Sequence, residues 1–226
     1  MAVAARLGAN AARIHGKAGW AQRHLNDPYV KQAVRLGYRS RAAIKLVQMD
    51  AKLKVLRPGE VALDLGAAPG SWSQVLAERR MDVVALDELP MDPVAGCMFV
   101  RGSITSGEAR DKLLAHLAGR PVDLVLSDIS PPRSGHHSLD HCRLVSLLVS
   151  VLELARQVLR PGGGILAKAL QGEDHARFMR VLARFGKISQ LKPKASRTES
   201  AELYVYVKGF DPSKFDAALN ELRDVG

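Results

Sequence analysis

Val61-Ala62-Leu63-Asp64-Leu65-Gly66-Ala67-Ala68-Pro69-Gly70 decides how this chain is read. A short apolar run that ends in a glycine-rich turn and opens into a helical pattern is the strand–turn–helix unit of an α/β sheet. A second carboxylate, Asp87, closes the next apolar run, Met81-Asp82-Val83-Val84-Ala85-Leu86. An acid about 20 residues beyond such a turn is placed to accept ribose hydroxyl protons. The glycine spacing then separates the ligands. A dinucleotide fingerprint needs glycine where Ala68 stands, so that a pyrophosphate can approach, and Pro69 removes an amide donor. The turn suits a ligand without phosphates, of which S-adenosylmethionine is the commonest. On these residues alone an ordinary α/β turn and a dinucleotide site remain the alternatives.

Around this unit the pattern alternates. Strands are expected at about 61–65, 82–87, 97–101, 122–127, 164–169, 187–192 and 202–208. Helices are expected at about 71–80, 106–118, 139–159, 172–185 and 212–223. The longest helical stripe, Leu144, Leu147, Leu148, Val151, Leu154, Ala155 and Val158, stops at Arg160-Pro161-Gly162-Gly163-Gly164. Alternating strand and helix implies a mostly parallel sheet with helices on both faces. The last two strands follow each other without a helix, so one of them is antiparallel, joined as a hairpin. Upstream, a helical segment begins near Asp27, and Ser40 is placed to cap a second helix whose core face is Ala43, Ile44, Val47 and Ala51. Residues 1–26 read as a basic, flexible arm or a presequence, and 27–226 as one domain.

Composition narrows the partners. Hydrophobic residues make up 47% and charged residues 25%, which is ordinary for a soluble globular protein. No apolar run approaches the roughly 20 residues that cross a bilayer, so no membrane role is expected. Cys97 and Cys142 form no motif, which fits a reducing compartment. The net charge of +10 is more telling because it is concentrated. No acid precedes Asp27, while Arg6, Arg13, Lys17 and Arg23 do. From Lys31 to Arg57 eight basic residues face one acid, Asp50. A second basic stretch holds Lys187, Lys192, Lys194 and Arg197. Charge gathered in two flanks of a balanced core suggests a footprint for phosphates.

Ligands of open α/β sheets bind at the carboxyl ends of the strands. Asp64, Asp87, Asp128 and Lys168 all fall at or near such ends. Lys168 closes the apolar run Ile165-Leu166-Ala167, where a lysine is costly unless paired or functional. Any one of these charges is explained by a structural salt bridge; four on one edge are better explained by a site.

Several stretches carry a more specific likeness. Ser40-Arg41-Ala42-Ala43-Ile44-Lys45-Leu46, Asp64 through Gln74, Leu89-Pro90-Met91-Asp92-Pro93, Ser127-Asp128, Leu159 through Gly163, Gln171-Gly172-Glu173 and Lys192 through Arg197 resemble the FtsJ-type ribosomal RNA ribose 2′-O-methyltransferases. The likeness runs from about Trp20 to Phe210. It implies the class I S-adenosylmethionine-dependent, Rossmann-like fold with a seven-stranded sheet. It also implies a Lys-Asp-Lys-Glu tetrad, here Lys45, Asp128, Lys168 and Glu202, in which Lys168 takes or steers the proton of a ribose hydroxyl. A lysine needs a depressed pKa to serve as a base near neutral pH, and Lys45 is the expected source of the depressing charge. For the cofactor, S-adenosylmethionine, the likeness points to Asp64, Gly66, Ala67, Pro69, Gly70, Trp72, Asp87, Ser103 and Asp128. Gly70 and Trp72 fall near its methionine end and Asp87 at the ribose hydroxyls.

The chain departs from the family pattern at three places. Ser103 stands where an aspartate usually accepts from the adenine amino group, Pro132 where an asparagine usually follows the catalytic aspartate, and Ile44 where an aromatic residue is usual. The basic flanks imply RNA contacts by Lys31, Arg35, Arg39, Arg41, Lys194 and Arg197. The expected substrate is large-subunit ribosomal RNA or its particle, at a uridine of the peptidyl-transferase region. The alternatives are a degenerate methyltransferase retained as an RNA-binding assembly factor, supported by Ser103 and Pro132, and an enzyme for transfer RNA or another RNA. A monomer is expected, in the bacterial cytoplasm or the mitochondrial matrix.

Other residues have plainer readings. His136, His137 and His141 have no partner at metal-ligand spacing and read as a loop entering a helix, so no metal is expected. Tyr204 and Tyr206 alternate with Val205 and Val207, which points to strand packing rather than base stacking. Trp20 is either a base-stacking residue or a hydrophobic anchor.

Overall fold

The computed structural model describes residues 26–131, 134–171, 175–197 and 200–215. Residues 1–25 of the expected arm at 1–26, with Trp20, and also Pro132, Gly172 and Glu173, lie outside these residues. Seven strands form one sheet: β1 (Val61–Leu65), β2 (Asp82–Asp87), β3 (Cys97–Arg101), β4 (Val122–Ser127), β5 (Leu159–Leu170), β6 (Lys187–Leu191) and β7 (Glu202–Lys208). Their order across the sheet is β3-β2-β1-β4-β5-β7-β6. Pairings among β1 to β5 are parallel, while β7 runs antiparallel to both β5 and β6.

Two helical layers cover the sheet. α1 (Pro28–Arg35), α2 (Ala42–Leu53) and α3 (Ser71–Glu78) precede α4 (Gly107–Leu117), α5 (His137–Val158) and α6 (His175–Phe185). Strand side chains alternate between the layers. Leu63, Leu65, Val125 and Ile165 pack with Leu113, Leu152 and Phe178 of α4, α5 and α6. Ala62, Val83, Leu124 and Leu166 pack with Leu46, Met49 and Val75 of α2 and α3. Tyr204 of β7 belongs to this second layer.

Three expectations shift. The core face of α2 is Ala43, Ile44, Leu46 and Met49, with Asp50 buried and Ala51 exposed. Asp50 is tolerated inside because its Oδ1 accepts the Val55 and Leu56 amides at 3.1 and 3.0 Å, and Arg79 pairs with it. Ser40 is not the cap: Arg41 takes the N-cap position without a side-chain cap bond, and the Ser40 hydroxyl, one residue earlier, accepts the Ala42 amide at 3.2 Å. The fifth strand begins at Leu159, not at 164, because Leu159 already pairs with Val122 before the register shifts and resumes at Gly164 opposite Leu124. Of the expected helix at 212–223, the described part is a 3-10 turn, Pro212–Lys214, and 216–223 lie outside the described residues.

Candidate active site

The first β–α turn is held tightly. Gly66 has φ +76°, and a Cβ on it would meet Ile129 backbone at 2.9 Å, so glycine is required by both conformation and space. The Gly66 and Ala67 amides both donate to the Leu86 carbonyl, at 2.9 and 3.2 Å. These two bonds shape the turn and tie it to the end of β2. Gly70, with φ +100°, starts α3.

Asp64 lies fully buried under this turn. Its Oδ2 accepts from the Ser73 hydroxyl at 2.7 Å, while its Oδ1 is buried without a partner. Burial, reinforced by the nearby charges of Asp128 and Asp87, pushes its carboxyl up to about 7. An orphaned carboxylate oxygen of this kind is complementary to a cationic group. Asp87, at the end of β2, accepts the Ala68 amide at 2.9 Å and the Leu89 amide at 2.8 Å. It thereby joins the turn to the 88–94 segment and retains acceptor capacity, since a carboxylate has about four lone-pair sites. The donor set fits S-adenosylmethionine: an anion for its ammonium, an anion for its ribose hydroxyls, and no cradle for phosphates.

Two expected cofactor residues are engaged elsewhere. Trp72 is 2% exposed; its indole N–H donates to the Ala42 carbonyl at 2.8 Å and its ring packs on Tyr204. It therefore links α3 to α2 from beneath. The Ser103 hydroxyl lies 2.9 Å from Thr105 Oγ1 and accepts the Thr105 amide at 3.3 Å, closing its own turn after β3.

Beside the turn, on the face covered by α2, the four tetrad side chains meet. Lys168 Nζ lies 2.7 Å from Asp128 Oδ1, 3.0 Å from the Asp128 carbonyl and 3.6 Å from Glu202 Oε1. Lys45 Nζ, from α2, lies 3.2 Å from Glu202 Oε2. The sheet register sets this out: Lys168 pairs with Tyr204, and Leu170 with Glu202. Both lysines are buried.

The resting protonation differs from the expected one. Burial alone would favour a neutral Lys168, but Asp128 and Glu202 outweigh it and raise its pKa above the ordinary lysine value. Glu202 is also resisted by burial, yet Lys168 and Lys45 hold it below the usual carboxylate range. Glu202 stands between Lys45 and Lys168 and pairs with both. Lys168 is thus an ammonium at rest, a donor toward an acceptor oxygen. It can take a proton only after passing its own to a neighbour such as Asp128.

Sequence reasoning missed one member. Tyr204 is fully buried, accepts from Lys45 Nζ at 3.2 Å and donates to Asp128 Oδ1 at 2.7 Å. Burial, with Asp128 and Glu202 nearby, raises its pKa well above the ordinary phenol value, so it stays a neutral donor. The signal was present: Glu202 and Tyr204 are two apart on a strand and share a face.

The two basic flanks come together. Ala33 of α1, Ile44 of α2 and Ala195 form one small core, and the Ala195 amide donates to Gln48 Oε1 at 2.9 Å. Lys31, Arg35, Lys194 and Arg197 are exposed. Arg39 and Arg41 each have partners within the chain. The Arg41 guanidinium pairs with Asp27 and donates to the Ala195 carbonyl. That of Arg39 donates to the carbonyls of Pro69, Asp92 and Pro93. Among the described residues no His, Cys, Asp and Glu group is arranged to hold a metal, and no helix is long and apolar enough to cross a membrane.

The family model described as FtsJ-like methyltransferase matches residues 38–210. The chain is 46% identical over 198 residues to the "Ribosomal RNA large subunit methyltransferase E" of Xanthobacter autotrophicus, covering 84% of this chain and 78% of that protein. It is 45% identical over 197 residues to the protein of the same name from Chromohalobacter salexigens, covering 85% of this chain and 94% of that one. Among solved structures, a putative ribosomal RNA methyltransferase from Plasmodium falciparum superposes with a TM-score of 0.70 at 30% identity, covering 76% of this chain and 98% of that one.

Proposed function

We propose, for a chain that belongs to the FtsJ-like methyltransferase family, that it is an S-adenosylmethionine-dependent 2′-O-methyltransferase of large-subunit ribosomal RNA. The observation that carries this reading is the assembled tetrad: two buried lysines and two carboxylates, with Tyr204 bridging, beside the turn that holds Asp64 and Asp87. The names of the relatives support the substrate, and their bacterial sources support action on ribosomes in the cytoplasm.

S-adenosylmethionine, when bound, supplies an electrophilic methyl group on a sulfonium. Asp64 would hold its ammonium and Asp87 its ribose hydroxyls. Lys168 orients the ribose 2′-oxygen and stabilises the negative charge that grows as its proton leaves. Asp128, fixed by Lys168 and Tyr204, and Glu202, fixed by Lys45, hold the ammonium in place and receive the displaced proton. Alignment of the oxygen contributes more than basicity here, because the resting lysine is charged. Lys31, Arg35, Lys194 and Arg197 position RNA through its phosphates, leaving its shape to supply specificity.

The test is methylation of large-subunit particles from cells lacking this activity, with the modified ribose mapped by its resistance to alkaline cleavage. One 2′-O-methyluridine in the peptidyl-transferase region is expected. Methylation of transfer RNA instead would reassign the substrate. RNA binding without methyl transfer or cofactor affinity would favour an assembly factor.

A further inference from the structure

Arg39 lies in the turn between α1 and α2, on the side of the molecule that carries the basic flanks. Its backbone is fixed to α3 by Gln74, whose Oε1 accepts the Arg39 amide at 2.9 Å and whose Nε2 donates to the Gly37 carbonyl at 3.1 Å. From there the guanidinium crosses over Gly70. Nη1 donates to the Pro69 carbonyl at 2.8 Å and to the Asp92 carbonyl at 2.7 Å, and Nη2 to the Pro93 carbonyl at 2.7 Å. The approach is close enough that a Cβ on Gly70 would stand 2.5 Å from Nη1.

These three carbonyls belong to the two segments that flank Asp87. One is the turn after β1, the other the 88–94 segment after β2. Asp87 stitches the same segments together through the Ala68 and Leu89 amides. One anion and one cation therefore fasten these two segments to each other. The anion is the group that a ribose would recruit, which leaves the cation as the fastener that does not depend on ligand. A guanidinium suits this position because its planar fork serves diverging acceptors at once, and each bond is charge-assisted. An ammonium keeps the charge but cannot reproduce the fork.

We propose that Arg39 is a positioning residue for the methyl donor: it locks the outer wall of the donor pocket to the segment that leads into Lys45, and it does not contact RNA phosphates. This rests on the reading that the cleft takes S-adenosylmethionine. It couples the two halves of the site, since the turn that starts α2 also sets the donor wall.

The test compares Arg39→Lys and Arg39→Gln with the unaltered protein, by calorimetric titration with S-adenosylmethionine, steady-state methylation of large-subunit particles, RNA binding across salt concentrations, and melting temperature. Both variants should raise the Kd and KM for S-adenosylmethionine by roughly tenfold or more, the scale of lost charge-assisted hydrogen bonds. At saturating donor, kcat should stay within about threefold, and RNA affinity and its salt slope should not change. Lysine should rescue little. Unaltered donor affinity with weaker RNA binding and a shallower salt slope would overturn the proposal and restore a phosphate contact. Uniform loss of all parameters with a lowered melting temperature would overturn it too, leaving a general structural role. If the unaltered protein fails to bind S-adenosylmethionine, the functional reading falls instead.

Discussion

Replacing Asp64 by asparagine tests whether burial sets the resting charge of the site. The carboxyl is fully buried and its pKa is raised to about 7, whereas an unfolded chain titrates near 4. Below about pH 4 it is protonated in both states and affects stability little. Between about pH 4 and 7 the unfolded chain binds fewer protons than the folded one, so its contribution to stability falls as pH rises. Above about pH 7 the penalty is complete, and a difference of about 3 pH units corresponds to about 4 kcal/mol. Asparagine keeps an acceptor for the Ser73 hydroxyl and removes the charge. Asp64→Asn should therefore match the unaltered protein in stability near pH 4 and exceed it by up to about 4 kcal/mol at pH 8, where relaxation makes this an upper bound. Urea unfolding at pH 5 and pH 8 measures the difference. The same variant should bind S-adenosylmethionine more weakly by roughly 1–3 kcal/mol, because the ammonium loses its anion. Donor affinity of the unaltered protein should also decline as pH falls below about 7, and that dependence should be absent in the variant. Equal destabilisation of the variant at both pH values would refute the reasoning, since it would mean that Asp64 is ionised and paired at rest.

Three further outcomes are expected. Lys168→Met should reduce methyl transfer by orders of magnitude and leave calorimetric S-adenosylmethionine affinity nearly unchanged, because the Lys168 ammonium is paired with Asp128 and Glu202 of the tetrad. Tyr204→Phe keeps the ring packed on Trp72 but removes the link between Lys45 and Asp128; it should cost about 1–2 kcal/mol in urea unfolding and lower kcat with little change in KM for the donor. Neutralising Lys194 and Arg197 together should weaken RNA binding and reduce its salt slope by about one unit per lost phosphate contact, with donor affinity preserved.

What the sequence discloses and what it withholds divide along physical lines. Strands were legible because each is a short apolar run bounded by a charged or glycine-rich end, and their alternation with helices leaves few topologies. The Leu159 boundary was not legible, since Arg-Pro-Gly-Gly-Gly reads as a break and only pairing with Val122 makes its start a strand. The phase of α2 was misread for a similar reason: a buried Asp50 looks like a surface residue until the amides of Val55 and Leu56 satisfy it. At the site, the types and order of the tetrad residues were readable, but their protonation was not. The sign of the Lys168 shift depends on two carboxylates outweighing burial, a balance set by distances of 2.7 and 3.6 Å. The arginines make the sharpest case. Lys31, Arg35, Arg39 and Arg41 form one run of positive charge in the sequence, yet two remain exposed and two turn inward onto backbone carbonyls and Asp27. The acceptors of Arg39 lie 30, 53 and 54 residues away along the chain. A charge count therefore overstates the surface available to phosphates, and what it loses there reappears as order within the cleft.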